Sequence, residues 1–132
     1  MFAYEVLIRE FHLDTFGHMN NATYMSLFEE ARWELITRGG FGLREIRERG
    51  LGPVVLEAQI KFLKEIRLRE RIEITCEPQS YKGKVGGMIQ KMIKEDGHTA
   101  CEATFSFGLF DTHKRKLVDP TPEWLKAISW KP

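Results

Sequence analysis

Between Asn21 and Arg38 the sequence runs NATYMSLFEEARWELITR, a segment with more apolar surface than one flat neighbour can cover. Tyr24, Leu27, Phe28, Ala31 and Leu35 recur at three- and four-residue steps, the spacing that stacks side chains on one helical face. Met25 and Ile36 widen that stripe, so the pattern predicts a largely buried helix that needs a sheet curved about it. Asn20 or Asn21 offers a side-chain oxygen to a free first-turn N–H. At the other end RGGF supplies glycines able to leave helical space.

The flanking segments read mostly as strands. AYEVLIREFH, residues 3–12, alternates with Tyr4, Val6 and Ile8 on one face and Leu7 and Phe11 on the other. GLREIRERG predicts a short second helix ending at Gly50. Pro53 then opens VVLEAQIKFLKE, in which Val54, Leu56, Ala58, Ile60 and Phe62 alternate. RIEITCEPQSY places Ile72, Ile74 and Cys76 on one face. KGK turns into VGGMIQKMIKE, and Asp96-Gly97 is a hairpin signal. TACEATFSFGLFD points Cys101, Ala103, Phe105, Phe107 and Leu109 inward. Thr121 and Pro122 suit the cap and first position of a short helix, PEWLKAI. The order is one strand, one long helix, then four strands. It predicts an α+β layer, a five-stranded antiparallel sheet around a central helix, rather than a doubly wound alternation. Residues 1–132 read as a single domain without repeat or linker.

Composition narrows the function. A net charge of +1 gives no global attraction for nucleic acid. No apolar run approaches the roughly 18 to 20 residues of a membrane span, and MFAYEVLIRE meets charges too early for a signal peptide. Cys76 and Cys101 lack metal-type spacing and read as reduced, packed thiols. These features point to a cytoplasmic protein without a metal site.

The chemistry concentrates in HLDTFGHMNNATY, residues 12–24, where the first strand gives way to the helix. Asp14 is followed by Gly17, His18, Asn20 and Asn21, and then by the helix itself. First-turn N–H groups favour negative charge placed before them. A carboxylate beside such donors, at the rim of an apolar core, is suited to attack a carbonyl whose oxygen the amides stabilise.

Asp-x-x-Gly-His-x-Asn-Asn-x-x-Tyr followed by FEEARW resembles the 4-hydroxybenzoyl-CoA thioesterase-like branch of the hotdog-fold thioesterases. The similarity is closest to the bacterial long-chain acyl-CoA thioesterase III subgroup, which shares HLD before the helix and EEARW within it. Many relatives carry an aspartate two positions before the catalytic one, where this chain, like that subgroup, has His12. The resemblance implies a hotdog fold and hydrolysis of medium- or long-chain fatty acyl-CoA, with coenzyme A as part of the substrate and no separate cofactor. It puts the catalytic carboxylate at Asp14, as nucleophile or general base, and the polarising backbone N–H at or next to Asn21. Gly17 would let the loop approach substrate. His18 and Asn20 line the corner, His18 either touching substrate or holding a structural hydrogen bond. Tyr24 borders substrate but reads first as a core residue with a satisfied hydroxyl. Lys82, Gly83 and Lys84 either bind the coenzyme A phosphates or form a solvated turn; Arg67, Arg69 and Arg71 are a weaker candidate. Glu29 and Glu30, His98 and His113, and the NAT acceptor pattern at Asn21 read as bystanders. The resemblance also implies a homodimer, or a dimer of such dimers, with the site between subunits. The alternatives are an acyl-carrier-protein or aromatic acyl-CoA thioesterase, and a non-enzymatic acyl-CoA binding module.

Overall fold

The structure is a computed structural model that describes residues 2–132. Strands β1 (Ala3–Leu7), β2 (Leu51–Phe62), β3 (Arg71–Lys82), β4 (Val85–Lys94), β5 (Thr99–Asp111) and β6 (Lys116–Val118) form one antiparallel sheet. Its order is β1-β3-β4-β5-β2, with β6 also pairing β5. Helix α1 (Asn21–Arg38) fills the sheet's hollow, α2 (Leu43–Arg49) leads into β2, and α3 (Pro122–Ala127) closes one end.

The apolar stripe of α1 explains this wrapping. Tyr24, Leu27, Phe28, Ala31, Leu35 and Ile36 are all buried. They meet Ile72, Ile74 and Cys76 of β3 and the inward row Cys101, Ala103, Phe105, Phe107 and Leu109 of β5, also buried. Phe28 packs edge-on against Phe105 with ring centres 5.8 Å apart; fully burying one such ring stabilises by about 1.5 to 3 kcal/mol. Gln90 of β4 is fully buried and donates to the Phe28 carbonyl at 3.1 Å, so the sheet grips the helix backbone directly. Burial pushes both free thiols, Cys76 and Cys101, up to about 12, which leaves them protonated and inert.

Several expectations need correction. The first strand stops at Leu7, and Glu10–His12 forms a 3₁₀ turn. There the Arg9 N–H donates to His12 Nδ1 at 2.8 Å, and this side-chain bond draws the backbone out of the ladder. Phe11 is consequently 77% exposed instead of packed. A sixth strand, β6, returns along β5 and was invisible in a segment as short and charged as KRKLV. The strand expected from Pro53 begins at Leu51, and its alternation breaks at a bulge between Val55 and Glu57, which leaves Leu56 exposed. Met25 also faces outward. Edge strand β2 thus shows Val55, Leu56 and Phe62 to solvent. No helix among the described residues is long and apolar enough to cross a membrane.

Candidate active site

The segment before α1 is a tight loop closed on itself. The Asp14 N–H donates to the His18 carbonyl at 2.9 Å, and the Gly17 N–H to the Asp14 carbonyl at 3.2 Å. Gly17 sits at φ +88, which is why a glycine is needed there. A Cβ at that position would meet no protein atom within 4 Å, so backbone conformation is what requires the glycine within the protein itself.

This turn fixes the Asp14 carboxylate. Oδ1 accepts from the Phe16 N–H at 2.8 Å and the His18 N–H at 3.3 Å, while His18 Nδ1 lies 3.0 Å from Oδ2. Its donors come from its own loop, not from the helix as the sequence suggested. The two backbone donors on Oδ1 and the imidazole beside Oδ2 restrict its rotation. The side chain stays 23% exposed, and its open face lines a groove of about 620 Å³.

The start of α1 forms the next part of that groove. Asn20 is the cap: its Oδ1 accepts the Ala22 N–H at 2.8 Å and its carbonyl the Thr23 N–H at 3.0 Å. The Asn21 N–H, beside them, has no protein acceptor among the described residues. Tyr24, one turn on, has its ring buried edge-on against Phe62, with centroids 4.9 Å apart. Its hydroxyl has no hydrogen bond among the described residues, contrary to the satisfied hydroxyl expected, and it is not sealed from solvent. Burial raises that phenol to about 12, so it remains a proton donor in the groove.

The far wall, Phe62, Leu63, Lys64 and Glu65, was missed from sequence. It closes on the loop through backbone contacts: the Met19 N–H donates to the Ile66 carbonyl at 2.8 Å, and His18 bridges Arg67. Exposed apolar residues at the end of an alternating strand were the available signal, but nothing local says what they face. Glu65 pairs with Arg67, whose guanidinium holds its carboxyl below the usual range.

The basic turn lies elsewhere. Gly83, at φ +59, makes the two-residue turn between Lys82 and Val85. That turn sits beyond Gly86, which pairs with Phe107, whereas the Asp14 groove lies near Phe62, which pairs with Cys101. Six residues of β5 at ~3.4 Å each separate these levels by ~20 Å, so one protomer does not join Lys82, Gly83 or Lys84 to Asp14. Arg67 is the cationic residue of the earlier alternative that lies beside the groove. Glu29 and Glu30 are occupied by the Trp33 indole and the Tyr4 hydroxyl. His98 and His113 only close turns, their N–H groups donating to Asp96 and Asp111.

Residues 7–128 match the family model described as the thioesterase-like superfamily. Over 115 residues the chain is 27% identical to the long-chain acyl-CoA thioesterase FadM of Escherichia coli (strain K12), covering 86% of each chain. It is 28% identical over 118 residues to the 1,4-dihydroxy-2-naphthoyl-CoA hydrolase of Thermosynechococcus vestitus, covering 86% of this chain and 81% of that one. A Staphylococcus aureus protein solved in complex with CoA shares the fold with a TM-score of 0.91 at 20% identity, over 97% of this chain and 81% of that chain.

Proposed function

The chain belongs to the thioesterase-like superfamily, and from that membership we propose that it hydrolyses acyl-CoA thioesters to free acid and coenzyme A with Asp14 as the reacting carboxylate. The family resemblance drawn from residues 12–33 is thereby borne out, and so is the α+β hotdog arrangement. One observation carries the catalytic assignment. The Asp14 carboxylate is held by two backbone donors with the His18 imidazole beside it, yet opens into the groove that also presents the free Asn21 N–H.

In this reading the thioester carbonyl lies between Asp14 and Asn21. The Asn21 N–H binds the oxygen as it gains charge, an interaction worth roughly 2.7 to 4 kcal/mol for one well-placed donor. Asp14 either attacks the carbonyl carbon, expelling the thiolate and leaving an anhydride for water to cleave, or takes a proton from the water that attacks. His18 positions the carboxylate, Asn20 sets the helix start, and Tyr24 offers a phenol to bound substrate. A thioester is already activated, so these groups suffice without a metal or redox group.

The proposed molecule is a homodimer. Edge strand β2 exposes Val55, Leu56 and Phe62, and an edge of that kind calls for cover. Two copies related by a two-fold axis perpendicular to β2 would set their β2 edges antiparallel. Each Asp14 groove then faces the end of the other copy that carries its basic turn, which would bring Lys82 and Lys84 toward the site. Similarity to both a long-chain and a naphthoyl hydrolase leaves a fatty acyl and an aromatic acyl group as the two substrate readings.

Asp14→Asn tests the assignment. It is expected to bind acyl-CoA and fold normally while kcat falls by about 10² to 10⁴, the usual worth of a positioned acid or base. Turnover of an acetyl- to palmitoyl-CoA panel, with a naphthoyl thioester alongside, at near the parent rate would overturn it.

A further inference from the structure

A second cavity, of about 400 Å³, runs along α1 between the helix and β2. Its walls are Met25, Val54, Met88, Phe107 and similar apolar groups, and its charged members are Glu29 and Arg32. The Arg32 guanidinium lies 4.3 Å over the Phe105 ring, and its Nη1 donates to Gln90 Oε1 at 2.8 Å. Gln90 is in turn held by the Phe28 carbonyl and Cys76 Sγ, so the guanidinium plane is fixed from behind.

Its remaining donors are unspent. No ion pair among the described residues includes Arg32. Among the described residues Nε and Nη2 donate to no acceptor, and neither is sealed, since no fully buried side-chain nitrogen there lacks a partner. Glu29, one turn earlier, accepts the Trp33 indole at 3.3 Å instead. Removing a cation from water without a counterion is costly, and a planar fork with free N–H groups is matched best by a carboxylate.

The cavity is also in line with the reaction centre. Asn21, Met25, Phe28 and Arg32 occupy one stripe of α1 at four-, three- and four-residue steps. Asn21 lines the Asp14 groove and Met25 the second cavity. At ~1.5 Å per residue Arg32 lies ~16 Å along the helix from Asn21, the reach of a medium-length acyl chain. We propose that this cavity takes the far end of the acyl group and that Arg32 selects acyl groups ending in a second carboxylate, the half-thioesters of dicarboxylic acids. This rests on the thioesterase reading and adds a substrate class to it.

The test compares dodecanedioyl-CoA with dodecanoyl-CoA, equal in length and differing at the far end. The parent protein is expected to favour the dicarboxylic thioester at least tenfold in kcat/KM. Arg32→Met is expected to collapse that ratio to near one, and Arg32→Lys to retain part of it. Dissociation constants of both thioesters on Asp14→Asn, read by calorimetry, give the same preference without hydrolysis. Absence of turnover of either thioester by the parent, with the binding preference intact, would overturn the thioesterase reading and leave Arg32's role standing. Equal kcat/KM and equal binding of the two thioesters by the parent, or an unchanged ratio in a folded Arg32→Met, overturns the proposal. If Arg32→Met does not fold, the parent comparison still decides.

Discussion

Asn20 separates the stability of the helix start from its chemistry. Its Oδ1 accepts the Ala22 N–H at 2.8 Å, and its own N–H donates to the His12 carbonyl at 2.9 Å, so it ties the segment before the Asp14 loop to α1. Asn20→Ala removes the side-chain acceptor, a loss of about 1 kcal/mol for an N-cap, which in a domain of this size lowers Tm by roughly 3 to 6 °C. Asn20→Asp keeps the acceptor and places charge at the positive end of the helix, a gain of about 0.3 to 1 kcal/mol. Its Tm should therefore equal or exceed the parent's. Catalysis should move the other way. A carboxylate at Asn20 lies next to the Asn21 N–H, where the oxyanion would form. Two negative charges ~6 Å apart at an effective dielectric of about 20 repel by ~3 kcal/mol, equivalent to roughly 10²-fold in kcat. Thermal unfolding and thiol release from acyl-CoA measure the two effects separately. An Asn20→Asp enzyme as fast and as stable as the parent would place the developing charge away from Asn21 and refute this geometry.

Two further outcomes follow from single side chains. Tyr24→Phe removes a hydroxyl with no partner among the described residues, so stability should change by less than a surface substitution's ~0.5 kcal/mol, while kcat/KM drops; unchanged kinetics would return Tyr24 to the core alone. His12 is buried, and burial lowers its imidazole below the ordinary 6.5, with Arg9 adding to the effect and Glu30 opposing it. The unfolded chain thus binds that proton more readily, and stability should fall as pH drops from 6.5 through the lower folded value. Urea unfolding between pH 8 and 5 should show this decline and a flatter profile in His12→Gln; equal slopes would remove His12 as its cause.

The elements carried by strong periodicity were legible in sequence. Helix α1 has the bounds its apolar spacing implied, and Asn20 rather than Asn21 caps it, because the capping oxygen must precede the first helical turn. The hairpin at Asp96-Gly97 and the Thr121 cap also formed as written. What failed was set by contacts distant in sequence. The β1 pattern promised a strand to residue 12, but a bond from the Arg9 N–H to His12 ended it. The pairing of β2 with β5 leaves the groove wall at Phe62–Glu65, which no local pattern reveals. Clustering in sequence identified the Asp14 corner because four of its groups share one loop. Lys84 had the turn chemistry to be read locally, but its place at the opposite end of the sheet from Asp14 within one protomer depends on strand pairing that no local pattern reveals.

Arg32 shows why such a residue escapes pattern reading. Within EEARW it looks like one more solvated charge on a helix, flanked by two glutamates. Its direction is decided by Gln90, 58 residues later, which draws Nη1 inward while Phe105 supports the guanidinium face. Gln90 holds the Phe28 carbonyl as well, so the contact that seats α1 in its sheet also aims Arg32 into the cavity. Packing and recognition are therefore coupled through one amide. A helix displaced enough to lose that amide would misplace both the Asn21 N–H at its start and the guanidinium three turns on. In the proposed reading, fixed placement of both ends would let the helix hold a thioester at one end of an acyl group and read the other.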